Sequence, residues 1–132
     1  MDERSVDIRQ KEYELIAAGE GRCRVYLSWC WTGADLTVRI LNENAHVGAV
    51  ALGQYDPDSG RASVSVVTVP GHRDDIVAAE AAKILTEAIR RPVCVVGGVH
   101  VDAITAPEIQ RITENCRLLV KELLARLARN SG

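Results

Sequence analysis

A chain of 132 residues is long enough to bury one globular core and too short for two comfortable ones, so residues 1–132 read as a single domain. Its formal charge of −2 and the lack of any basic run leave no phosphate-neutralising stripe, which argues against a DNA or RNA partner. No stretch approaches the roughly 18 apolar residues of a membrane span, and Met1-Asp2-Glu3-Arg4-Ser5 leads into no apolar leader, so the expectation is a cytoplasmic protein without membrane attachment.

Residues 1–10 are polar and poorly patterned, as a frayed end would be. From Tyr13 the pattern improves. Tyr13, Leu15 and Ala17 alternate with Glu14 and Ile16 up to a turn at Gly19-Glu20-Gly21, and Cys23, Val25, Leu27 and Trp29 then alternate with Arg24, Tyr26 and Ser28. This is the signature of a two-stranded hairpin. Leu36, Val38 and Ile40 mark a third strand, and a fourth is expected to open near His46 and to end in the loop Gln54-Tyr55-Asp56-Pro57-Asp58-Ser59-Gly60. Arg61 to Val69 returns as a fifth, with Ser63 and Ser65 facing outward.

After Pro70-Gly71 the period changes, because Val77, Ala81, Ile84, Leu85 and Ala88 form one stripe of an α-helix. Asp74 and Asp75 suit its first turn and Arg90-Arg91 its last, before Pro92 ends it. Pro92 to Val101 reads as a buried strand through Val93-Cys94-Val95-Val96, interrupted by Gly97-Gly98. Thr105-Ala106-Pro107-Glu108 is a capping box that starts a helix at about 106, with a stripe of Ile109, Ile112, Cys116, Leu119, Val120, Leu123 and Leu127. The chain order is therefore a five-strand antiparallel set, a helix, a strand and a long helix. The fold class is α+β: a mixed, mostly antiparallel sheet of about six strands with two helices packed mainly on one face.

Two side-chain classes bear on assembly and redox state. Leu119, Val120, Leu123, Leu124 and Leu127 are a wider apolar surface than one small sheet need cover, which predicts a homo-oligomer. Cysteines at 23, 30, 94 and 116 show no Cys-x-x-Cys spacing and read as reduced structural thiols, with Cys94 and Cys116 buried.

The three histidines each stand where a polar group meets a break in regular structure. His46 follows Asn42-Glu43-Asn44, His72 follows Pro70-Gly71 at a helix start, and His100 follows Gly97-Gly98. In an extended segment His100 and Asp102 share a face with their Cβ atoms roughly 7 Å apart, as one wall of a pocket or as a solvated strand end. A phosphate at the helix start would lean on free amides, His72 and Arg73. Imidazoles and carboxylates also ligate zinc or manganese, so His46, His72, His100 and Asp102 are candidate ligands of a divalent metal, although their spacing matches no tight ligand motif. No P-loop, nucleophile elbow or dinucleotide fingerprint is present.

Taken together, three strings resemble the prenylated-flavin chaperones, the small D-type proteins associated with gallate-type decarboxylases. They are Ala34-Asp35-Leu36-Thr37-Val38 leading to Asn44-Ala45-His46-Val47-Gly48-Ala49-Val50, then Gly71-His72-Arg73-Asp74-Asp75, then Gly98-Val99-His100-Val101-Asp102-Ala103-Ile104-Thr105. The similarity covers residues 22–125. It implies a small non-catalytic protein that binds prenylated FMN or FMN and assists its delivery or maturation for a prenylated-FMN-dependent decarboxylase. The cofactor-contacting positions it implies are Asn44, His46, Gly48, His72, Arg73, Gly98, His100 and Asp102. Ala45 stands where the family pattern has proline, and Asn42-Glu43 stand where it has glycines. Glycines 48, 97 and 98 are expected to leave backbone clearance for a flat ring. Two other readings stay open on the residues alone: a metal-dependent hydrolase or lyase using the histidines, and a non-catalytic subunit whose last helix docks a partner.

Overall fold

The computed structural model describes residues 14–71 and 74–130. Its strands are β1 (Glu14–Ala18), β2 (Val25–Thr32), β3 (Asp35–Leu41), β4 (Ala49–Asp56), β5 (Arg61–Thr68) and β6 (Val93–Gly98), and its helices are α1 (Asp75–Ile89) and α2 (Ala106–Asn130). The strands form one sheet in the order β1-β2-β3-β6-β4-β5. Every neighbouring pair is antiparallel except β3 and β6, which run parallel. The architecture is thus α+β with a mixed, mostly antiparallel sheet. The continuous five-strand antiparallel set expected from chain order does not form, because β6 enters between β3 and β4. Its run Val93-Cys94-Val95-Val96 is apolar on both faces, and a central position shields such a strand better than an edge does.

Alternation decides what is buried. Val25, Leu27, Trp29, Leu36, Val38, Ile40, Ala49, Ala51, Val93 and Val95 lie buried on one face of the sheet. Against them α1 sets Ala78, Ala81, Ala82 and Leu85, and α2 sets Ile112, Cys116, Leu119, Val120 and Leu123, all within a single core cluster. Both helices therefore cover the same face. The small residues of α1 turn toward the sheet, so Ile84 and Ala88, expected on its buried stripe, are exposed. The phase of β1 is also opposite to expectation: Ile16 pairs beside Leu27 in the core, while Leu15 is 59% exposed.

Leu119, Val120 and Leu123 face the chain's own core, and Leu124 and Leu127 are partly buried against it, so the surface that suggested an oligomer is used internally. Exposed apolar side chains remain on the helices, among them Ile76, Ile84, Ile109 and Leu118, and on the helix-free face of the sheet, where Leu15, Ser28, Arg39, Val96, Val50 and Val67 form one row with Leu15 and Val67 open at its two ends. All four thiols are free; Cys23 and Cys116 are buried, whereas Cys30 and Cys94 are half-buried. Cys94 differs from expectation because alternation turns it away from the helices, beside Thr37 and Leu52. Burial pushes the Cys116 thiol up to about 12. Among the described residues no helix is long and apolar enough to cross a membrane.

Candidate functional site

Because β3 and β6 are parallel neighbours, the chain leaves both at the same end of the sheet, and the two segments that follow meet there. Asn42, 8% exposed, joins them: its Nδ2 donates to the His100 carbonyl at 2.6 Å, and its Oδ1 accepts from the His100 amide at 3.1 Å. Asp74, immediately ahead of α1, does not cap its own helix; its Oδ1 instead accepts from the Val99 amide at 3.0 Å. A side chain at Gly48 would collide with that same carboxylate, and one at Gly98 would collide with the backbone of His46. The clearance expected for a flat ring is therefore filled by the chain itself. These glycines let the loop of residues 42–48 lie directly across the end of β6.

The consequence is that His46 and His100 come together, their ring centroids 5.3 Å apart with the planes tilted by 48°. His100 Nε2 is 2.9 Å from Asp102 Oδ1, and both side chains are substantially exposed. A carboxylate at that distance orients the imidazole ring. His46 does not open β4, which begins at Ala49: the polar residues before it turn, with the Ala45 amide bonded to the Asn42 carbonyl, and only Gly48 reaches the ladder through the Gly97 carbonyl. His100 and Asp102 likewise lie beyond the end of β6 at Gly98, and their contact is made in a turn rather than along an extended strand. His72 and Arg73 lie outside the described residues. Among the described residues no three His, Cys, Asp or Glu side chains gather closely enough to hold a metal ion.

Beside the imidazoles is a recess of about 230 Å³, lined among others by Arg22, Arg24, Tyr26, Glu43, Asn44 and Asp102. Arg22 is committed to structure: its Nε donates to Glu108 at 2.6 Å and its Nη2 to the Asp102 carbonyl at 2.6 Å. Arg22, together with the Thr105 amide, holds the Glu108 carboxyl down to about 2. Arg24 lies over the Tyr26 ring, 5.3 Å from its centroid. A larger depression of about 500 Å³, between Tyr55, Pro57 and Arg90-Arg91-Pro92, sits at the opposite end of β6 and holds no histidine. A cleft of about 40 Å³ between α1 and α2 is too small for anything but a few waters.

The sequence pointed to Asn44, His46, His100 and Asp102, which the fold gathers at one end of the sheet. It did not point to Asn42, Asp74, Arg22, Arg24 or Tyr26. The spacing of Arg24 and Tyr26 by two on a strand was a readable signal, since it puts both on the face away from the core. Asn42 and Asp74 act through backbone contacts that no local pattern announces.

The family model of the prenylated flavin chaperone LpdD-like domain matches residues 19–128. The chain belongs to this family. The match contains every residue of the site described above. No curated protein matches the chain. Among solved structures, a chain of "Crystal Structure of a Novel Chaperone Complex for Yeast 20S Proteasome Assembly" aligns with 92% of this chain and 98% of its own length, at 14% identity and a TM-score of 0.62. At that identity the likeness is one of fold.

Proposed function

We propose that the chain binds prenylated FMN, or FMN itself, and carries it to a decarboxylase that uses it, without decarboxylating a substrate of its own. The observation that carries this reading is the approach of His46 to His100, whose Nε2 contacts the recess-lining Asp102, inside the stretch matched by the prenylated flavin chaperone family. Sites that enclose a drug-sized ligand have roughly 300–1,000 Å³. At about 230 Å³ the recess takes only part of a flavin, and the remainder would lie against the exposed imidazoles and Asp102. Such a half-open seat suits a carrier, which must give its cargo up. The imidazoles supply hydrogen bonds to the ring's carbonyl and nitrogen edge, and Asn44 and Asp102 extend the polar rim.

Titration of the purified protein with FMN and with prenylated FMN, followed by flavin fluorescence or absorbance, tests this. Binding should weaken by about 1–3 kcal/mol when His46 or His100 is replaced by Ala, the range for a hydrogen bond to a buried or charged ligand group. The fold should survive, because both rings are outside the core. If both variants bind flavin as the parent does, the imidazoles are not the seat.

A further inference from the structure

The recess beside the histidines has a composition that a bare anion site would not have. Its lining includes Arg24, which lies over Tyr26, together with Glu43, Asn44 and Asp102. Arg22 is neutralised by Glu108 through two hydrogen bonds, so its charge is already answered. Arg24 makes no ion pair among the described residues, and the Tyr26 ring holds its guanidinium in place by a cation–π contact. A lone phosphate would meet Arg24 but also two carboxylates. A chain of hydroxyl groups ending in a phosphate meets complementary partners throughout: hydroxyls donate to Glu43, Asn44 and Asp102, and the phosphate takes the planar donor fork of Arg24.

We infer that this recess seats the phosphate-terminated polyol tail of the flavin, with Arg24 as the phosphate-binding residue and Tyr26 as the residue that positions it. The inference rests on the flavin reading above. Asp102 ties the two halves of the site together, since it lines the recess and also holds His100 Nε2. The volume agrees, because about 230 Å³ accommodates a tail but not a tricyclic ring as well. The assignment puts the phosphate at the entry to β2, away from the start of α1.

The test compares FMN with riboflavin, which has the same ring and polyol but no phosphate, on the full-length parent and on Arg24→Gln. The parent should bind FMN at least about 10-fold more tightly than riboflavin, as a charge-assisted contact implies. Arg24→Gln should abolish that preference, with the loss falling on FMN far more than on riboflavin. Tyr26→Leu should reduce the preference in part. A parent that binds both flavins equally overturns the phosphate seat. A preference that survives in Arg24→Gln overturns the assignment to Arg24. Failure of the parent to bind either flavin removes the flavin reading itself, and the two failures are thereby distinguished.

Discussion

The side chain of Asn42 offers an amide to a peptide group, donating to the carbonyl of His100 and accepting from its N–H, so one buried residue fixes the backbone that carries the second imidazole. The first imidazole is fixed differently. The His46 peptide lies on Gly98, and an added methyl group there would strike backbone atoms that have no side-chain freedom with which to give way. Gly98→Ala should therefore lift the loop of residues 42–48, separate the two rings and weaken FMN binding by an amount comparable with loss of His46 itself. The associated cost in stability should be about 1–3 kcal/mol, typical of overpacking a filled site. Parallel flavin titration and thermal denaturation would check this, and unaltered flavin affinity in Gly98→Ala would show that the loop does not position His46. At this scale the sequence revealed the kinds of residue but not their partners. Histidines beside glycines were visible, yet the contact that places His100 spans 58 positions along the chain.

At the scale of elements, the start of α2 was written locally and its anchorage was not. The Thr105 hydroxyl and amide both donate to Glu108 Oε1 at 3.0 Å, and the Glu108 amide returns a bond to Thr105 Oγ1 at 3.3 Å, which is the capping box read from four consecutive residues. Arg22 reaches the same carboxylate from the turn between β1 and β2, across 86 positions. Helix start, sheet and the wall of the recess are thus joined at one carboxylate. Glu108 sits at about 2 in the folded protein against an ordinary 4.5, so the folded state favours the charged form. Its contribution to stability is complete above about pH 4.5 and disappears as pH falls toward 2. The parent should exceed Glu108→Gln in melting temperature at pH 6, and the two should converge near pH 2. A difference between them that does not change with pH would contradict the assignment. Misreadings at this scale were of phase: Ile16 rather than Leu15 enters the core, because β1 takes its register from Leu27 on the neighbouring strand.

For the whole molecule the controlling fact is the position of β6. The meander β1-β2-β3 and the hairpin β4-β5 share no ladder, and β6 pairs with both, Val95 standing between Val38 and Ala51. Chain order alone suggests that β3 and β4 pair, since consecutive strands usually do, and pairing across some 57 positions has no local signature. The apolar run in β6 was the one clue, because a strand clothed on both faces belongs in the middle. This geometry also creates the site: without β6 in parallel beside β3, the segments bearing His46 and His100 would leave the sheet at different places. It follows that both halves of the sheet should unfold together. Val95→Ala removes two carbons from a fully buried position and should cost about 2 kcal/mol, from roughly 0.8 kcal/mol per carbon plus a small cavity. Trp29 and Trp31 report on β2 by fluorescence, while far-ultraviolet circular dichroism reports largely on α1 and α2. The two probes should give coincident denaturant midpoints in the parent and should shift together in Val95→Ala, as a two-state transition requires. Separate midpoints, or a shift confined to one probe, would mean that the halves fold as independent units and that β6 does not couple them.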